Sequence, residues 1–173
     1  VTGATTRRHF LAELGAMLGS PLDPREAILL LVDLDHFKQL NDGFGHGFGD
    51  AALHHLVTAA RQAFPGALIG RLGGDEFAVA LAGGNAESAR VAALQLIARL
   101  REGCAHLGDT VPLSASIGLA AAPLHGDNAR ELIASADLAL YRSKADGRGR
   151  VTIFASDLVT DISHRRYLER ELR

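Results

Sequence analysis

Two apolar runs, residues 67–72 and 77–81, are separated only by Gly73-Gly74-Asp75-Glu76, and this stretch constrains the fold more than any other. Each run has the length and composition of a strand. A Gly-Gly break accepts the positive φ of a tight turn, so the stretch reads as a β-hairpin. Its tip is unusual, because two adjacent carboxylates precede an immediate return into a buried strand. Side chains alternate along a strand, which sends Asp75 and Glu76 to opposite sides. Carboxylates crowded at a turn repel each other and lose hydration unless a cation joins them. Taken alone, such a tip is a solvated acidic turn; the rest of the sequence reverses that reading.

Residues 27–32 form a continuous apolar run, the mark of a central strand covered on both faces. The run ends abruptly in Asp33-Leu34-Asp35-His36-Phe37-Lys38. Folds of alternating strands and helices place ligands at such strand ends. Residues 36–40 read as a short helical turn whose free backbone N–H groups attract anions, phosphate above all. A phosphate beside Asp33 is repelled unless a divalent cation intervenes, and the pairing therefore implies Mg²⁺. The glycine-rich stretch from Asn41 to Asp50 leads into a helix over 50–64, but no Gly-Lys-Ser/Thr follows, so it is not a Walker loop. His46 and Asp50, four apart, fit structural hydrogen bonding better than zinc, which needs further ligands.

The remaining chain alternates helices and strands. A helix over 2–15 has Thr5 or Thr6 as its cap, followed by Arg7 and Arg8; Pro21 and Pro24 bracket a loop. An amphipathic helix over 86–104 puts Ala89, Ala93, Leu96, Ile97 and Leu100 on one face, with Cys104 as a buried helical thiol. Residues 111–122 are strand-like, Asn128 caps a helix bearing Leu132, Ile133, Ala136, Leu140 and Tyr141, and 151–154 is a last short strand. The order gives a β-α-β-β-α-β core with additions. A length of 173 residues suits one domain, and a net charge of −2 provides no basic field for nucleic acid. The single cysteine excludes an internal disulfide, and no apolar run approaches membrane-spanning length.

The motifs, taken together, resemble the GGDEF family of diguanylate cyclases. They are Asp33-Leu34-Asp35-His36-Phe37-Lys38, Asn41-Asp42, Gly45-His46, Gly49-Asp50 and Gly73-Gly74-Asp75-Glu76-Phe77. Further on, Ser116-Ile117-Gly118, the run Ala136-Asp137-Leu138-Ala139-Leu140-Tyr141-Arg142-Ser143-Lys144, and Gly147-Arg148 agree in order. The resemblance covers residues 2–154. It implies an α/β (α+β) fold with a central mixed, largely antiparallel sheet flanked by helices, related to nucleotide cyclase and polymerase palm domains.

The resemblance also implies roles. The family makes cyclic di-GMP from two GTP, in a reaction that needs positioning and charge neutralisation more than covalent help. Asp33, Asp75 and the Leu34 carbonyl resemble the ligands of Mg²⁺ or Mn²⁺. Glu76 matches a residue assigned to metal binding or to proton removal, and the sequence leaves both open. Asn41 and Asp50 match the guanine readers: a carboxylate accepts from guanine N1–H and the 2-amino group, whereas adenine has no donor at N1. Lys38, Lys144 and Arg148, with backbone amides near His36 and Phe37, match the triphosphate holders, and Gly73 and Gly74 complete the substrate loop. Three departures touch none of these positions: Thr6 for a usual Asn, Leu72 for a common aromatic, and Gly149 for a frequent Asn.

One domain holds one GTP, so the product requires a second GGDEF domain across a two-fold axis. Many relatives carry an inhibitory product site, Arg-x-x-Asp, where this chain has Phe64-Pro65-Gly66-Ala67. Residues 1–154 read as the GGDEF domain and 155–173 as a C-terminal helix, with Leu158, Ile162, Arg165, Leu168 and Leu172 at helical spacing. The run from Arg165 to Arg173 looks like the connector into an EAL phosphodiesterase domain. The chain is therefore expected to be a piece of a longer cytoplasmic or membrane-attached GGDEF–EAL protein with a sensory domain upstream. A second reading follows: a GTP-binding regulatory module controlling the adjacent EAL domain.

Overall fold

The computed structural model describes residues 2–160. Strand β1 (Thr5–Thr6) leads into helix α1 (Arg7–Leu18), and a small hairpin, β2 (Gly19–Ser20) with β3 (Asp23–Pro24), follows. Strand β4 (Ala27–Leu34) enters the helix pair α2 (Phe37–Phe44) and α3 (His46–Ala63). The predicted hairpin is β5 (Leu68–Gly73) and β6 (Glu76–Ala82), followed by α4 (Ala86–Glu102). A second hairpin, β7 (Cys104–His106) with β8 (Asp109–Val111), precedes β9 (Ala115–Ala122), α5 (Ala129–Ala145) and β10 (Val151–Ile153).

Six strands form one sheet in the order β1-β5-β6-β4-β9-β10. The four inner strands pair antiparallel, and β1 and β10 add parallel edges. This is the expected β-α-β-β-α-β core within a mixed, largely antiparallel sheet. β4 lies between β6 and β9 with all eight residues buried, which explains why its sequence is continuously apolar rather than alternating.

The two sheet faces divide the core by strand parity. Ile28, Leu30, Val32 and Leu34 pack with Phe77, Val79, Ile117 and Leu119 beneath α3 and α4. Ala27, Leu29 and Leu31 pack with Ala78, Ala80, Ala120 and Ala122 beneath α1 and α5. Small residues on this second face let α5 approach closely. Gly118 has no room for a side chain, since a Cβ there would collide with the Ala136 carbonyl and the Leu140 amide of α5. Buried Ser143 fixes the same helix by donating to the Ile117 carbonyl at 2.8 Å. The site residue Lys144 follows Ser143 directly.

Three boundaries differ in ways that matter from the sequence reading. α1 begins at Arg7 rather than before it, because Thr5 and Thr6 pair with Gly70 and Arg71 in the sheet. Thr6 then caps the helix, accepting from the His9 amide at 3.3 Å, so the departure from Asn keeps a capping side chain. The glycine-rich stretch is itself largely helical: α3 starts at His46, and Gly45 at φ 86° makes the joint with α2. Cys104 is buried but not helical; α4 stops at Glu102, Gly103 takes φ 95°, and Cys104 opens β7. Burial raises the thiol's pKa. The predicted connector falls mostly on residues 161–173, which lie outside the described residues.

Candidate functional site

The C-terminal end of β4 opens into a cleft of about 540 Å³. Asp33, Leu34, His36, Phe37, Lys38, Asp75, Lys144 and Arg148 all line it, as do Asp35, Gln39 and Asp42. Thus eight of the residues singled out from sequence meet in one place, drawn from β4, α2, the hairpin tip and the end of α5. The first turn of α2 faces the cleft with no side-chain cap, and His36 enters it in a left-handed conformation at φ 57°. Its first amides are therefore available to an anion.

Asp33 is the electrostatic centre. Only 7% of it is exposed, and Lys144 Nζ donates to its Oδ2 at 2.6 Å. Burial pushes its pKa up to about 6, and the negative charges of Asp75 and Glu76 add to the rise while Lys144 opposes it. Lys144 pairs with Asp33 alone, while the charges of Asp75 and Glu76 are close enough to be felt there. The oxygen donors of these carboxyl groups suit a hard divalent cation, which would offset the surplus negative charge. Among the described residues, no three His, Cys, Asp or Glu side chains already stand as a closed metal cage.

The hairpin tip is shaped by a bulge between Arg71 and Gly73, after which Gly73 pairs with Glu76. Arg71 donates to the Gly74 carbonyl from Nε at 2.9 Å and Nη2 at 2.6 Å, so a guanidinium clamps the turn. Asp75 faces the main cleft. Glu76, the register partner of Asp33, instead lines a separate cavity of about 180 Å³ with Arg7 and Asp137 at its rim and Leu72 and Ile133 in its wall. The alternation expected at the tip is realised, and Glu76 does not line the main cleft.

Asn41 and Asp50 stand apart from that lining, on α2 and α3. The two helices bring Asn41 against the residue before Asp50, for the Asn41 carboxamide lies directly over Gly49 and leaves no space for a Cβ there. Gly73 and Gly74 are exposed at the tip. Asp35 was missed as a site residue, although it stands inside the Asp-x-Asp motif. Gly49 also escaped, because a helical glycine signals nothing until its neighbour is known.

Comparison with known proteins agrees with this geometry. The family model "Diguanylate cyclase, GGDEF domain" matches residues 1–150. A "Probable diguanylate cyclase DgcC" of Escherichia coli (strain K12) is 40% identical over 165 residues, covering 90% of this chain and 42% of that protein. The chain therefore spans less than half of that relative's length. The "Cyclic di-GMP phosphodiesterase NbdA" of Pseudomonas aeruginosa is 33% identical over 146 residues, covering 84% of this chain and 19% of that protein. The solved GGDEF domain of TpbB (YfiN) from Pseudomonas aeruginosa superposes with a TM-score of 0.87 at 31% identity, covering 94% of this chain and 96% of that one. By sequence, fold and the residues gathered at the end of β4, the chain belongs to the GGDEF domain family of diguanylate cyclases.

Proposed function

We propose that this domain condenses two GTP into cyclic di-GMP and two pyrophosphates, as one half of a face-to-face homodimer. The observation that carries the reading is the convergence of Asp33, Asp75, Lys144, Arg148 and the uncapped start of α2 on one cleft. Lys144, Arg148 and Lys38 supply cationic donors for a triphosphate, and the amides of α2 supply neutral ones. Asn41 and Asp50 hold the guanine edge. Each nucleotide's 3′-hydroxyl then attacks the α-phosphorus of the other. The bond to the pyrophosphate leaving group breaks, and the hydroxyl proton departs to a base. Glu76 is placed beside Asp33 either to take that proton or to add a metal ligand.

Asp33, Asp75, Glu76 and the Leu34 carbonyl are the groups that would hold Mg²⁺ or Mn²⁺. When bound, the cation would neutralise phosphate charge, activate the attacking oxygen and stabilise the leaving one. The fit rests on the oxygen donors gathered there and on the Asp33 pKa, raised first by burial and further by the charges of Asp75 and Glu76. No helix among the described residues is long and apolar enough to cross a membrane. We place the domain in the cytoplasm, where its substrate is. The test is incubation of a forced dimer with GTP and Mg²⁺, followed by assay of cyclic di-GMP and pyrophosphate.

A second reading has one observation in its favour: the similarity reaches into NbdA, a protein named for cyclic di-GMP hydrolysis. In that reading the domain binds GTP and adjusts an adjacent EAL phosphodiesterase domain. Retained GTP binding by the forced dimer without any product would favour this second reading. Residues 155–173 would then be the connector to that domain.

A further inference from the structure

Asp35 lines the cleft, yet both oxygens of its carboxylate are engaged by hydrogen bonds within the protein. Only 5% of the residue is exposed. Oδ1 accepts from Ser116 Oγ at 2.6 Å, and Oδ2 accepts from Ser114 Oγ at 2.6 Å and from the Gly149 amide at 3.0 Å. One side chain therefore joins the end of β4, the start of β9 and the loop that follows α5. The Asp35 amide also donates to the Ser114 carbonyl at 2.8 Å, so the residue is held by its backbone as well.

The loop it grips presents Arg148. That residue adopts φ 63°, a left-handed conformation that a non-glycine residue enters only at a cost. Its amide donates back to the Ser143 carbonyl at 3.0 Å. The peptide groups of the next residue are fixed from two sides: the Gly149 amide by Asp35, and the Gly149 carbonyl by Arg101 Nη2 at 3.1 Å. An isolated loop of Asp146-Gly147-Arg148-Gly149 would relax to less strained conformations, in which the Arg148 guanidinium samples many positions. Gly149 at this place is consistent with the contact: it has φ 60°, and a Cβ there would press on Ser114 Oγ and Arg101 Nη2 at 3.1 Å.

The structure assigns to Asp35 the part of a positioning residue for nucleotide phosphates. It fixes the Arg148 loop over the cleft without touching the substrate. The inference rests on the proposed triphosphate reading of Arg148 and Lys144. It predicts a selective defect, since the groups proposed for guanine lie on α2 and α3 and do not depend on the loop. Asp35→Ala should weaken GTP binding while GMP, which lacks the β- and γ-phosphates, binds nearly as before. Asp35→Asn keeps one carbonyl oxygen for the Gly149 amide, and its amide nitrogen can donate to a reoriented Ser116 hydroxyl. That variant should therefore behave almost as the unmodified chain.

The test is calorimetric titration of the 173-residue chain, with Mg²⁺, against GTP and against GMP. Amide exchange at Gly149 is followed by NMR in parallel. The expected result is a fall in the ratio of GTP to GMP affinity of about tenfold in Asp35→Ala. Loss of Gly149 amide protection should accompany it, and both effects should be restored in Asp35→Asn. Equal weakening of GTP and GMP would show a role in general stability only, and would overturn the proposal. So would an unchanged ratio despite a deprotected Gly149. If Asp35→Ala does not fold, an Asp35→Asn chain whose ratio falls tenfold overturns it as well, because the charge rather than the retained hydrogen bond would then be what matters. An unmodified chain that binds GTP no better than GMP refutes the triphosphate reading itself, a result distinct from any behaviour of the Asp35 variants.

Discussion

Lys144 Nζ lies 2.6 Å from Asp33 Oδ2, joining the last turn of α5 to the end of the central strand across 111 residues of sequence. The contact gives Asp33 a counter-ion. It does not fully offset burial or the neighbouring carboxylates, because the Asp33 pKa still stands at about 6. The site is thus built with a surplus of negative charge, and its stability depends on pH.

The sign follows from linkage. A carboxyl whose pKa rises from 3.8 to about 6 on folding holds more protons in the native than in the unfolded chain between those values. Stability contributed by this group is therefore present at low pH and lost as pH climbs through about 6. The loss is on the order of 2–3 kcal/mol at neutral pH. Asp33→Asn should match or exceed the unmodified chain in metal-free thermal stability at pH ~8, lose that advantage near pH ~4, and make no product. Melting curves across this range decide it; an unmodified chain that is the more stable at every pH would contradict the assignment.

Asp75→Ala separates chemistry from folding more cleanly. Asp75 is half-buried at the rim of the cleft and contributes nothing to the apolar core. Cyclisation should fall to background while stability changes by no more than about 0.5–1 kcal/mol. Near-normal turnover at ordinary Mg²⁺ would remove Asp75 from the proposed metal site.

Guanine selection can be probed through a residue that offers guanine no side chain. Asp50→Ala should narrow the preference for GTP over ATP by roughly tenfold, the equivalent of about 1.5–3 kcal/mol for a charged hydrogen bond. Gly49→Ala should narrow it as well, because its new Cβ displaces the Asn41 carboxamide. Competition binding with both nucleotides tests the pair, and an unaltered preference in both variants would exclude this α2–α3 surface as the reader.

The turn between α3 and β5 holds no product-binding arginine or aspartate. Phe64 is buried there, and its carbonyl accepts from the Ala67 amide at 3.1 Å. Bidentate recognition of a phosphate or of the O6/N7 edge of guanine calls for a guanidinium, and 64–67 has none. Cyclic di-GMP should therefore not bind around 64–67; calorimetry followed by a crystal structure showing it there would disprove this.

How far the sequence could be read depended on the range of the interactions. The hairpin, the buried run of β4 and the cap at Asn128 rest on neighbours a few residues away, and the structure has all three. The short hairpin β7–β8 and the strand character of Cys104 were not legible, since 104–111 has no strong alternation and Gly103 alone marks the break. Thr6 as the cap of α1 was legible, but the strand pairing of Thr5 and Thr6 with Gly70 and Arg71 was not, because no local pattern reveals it. Among site residues, Asp33, Asp75 and Lys144 were legible through family motifs. The contacts of Asp35 and Gly49 were not, because each is made with a residue distant in the chain or on another helix.

Gly118 offers a last variant. Alanine there would drive a Cβ into the backbone of α5 and should cost more than about 3 kcal/mol, above the usual range for overpacking, because backbone cannot rotate away as a side chain can. Urea denaturation measures it directly. A loss below about 1 kcal/mol would show that α5 shifts without strain.

The order of strands also has a consequence for how the chain acquires its site. β4 pairs on one side with β6 and on the other with β9, so Asp33 meets Glu76 only after one long loop has closed and Ser116 only after a second has. Closing such loops costs entropy before any contact rewards it, and pairing of this kind is slow. No local fragment contains the cleft. A nascent or partly assembled chain lacking β9 and α5 has neither Lys144 nor the Arg148 loop in place, and of the proposed triphosphate holders it keeps only Lys38 and the amides of α2. On the proposed reading, nucleotide affinity is therefore a signal of completed assembly, set by the last strands to dock.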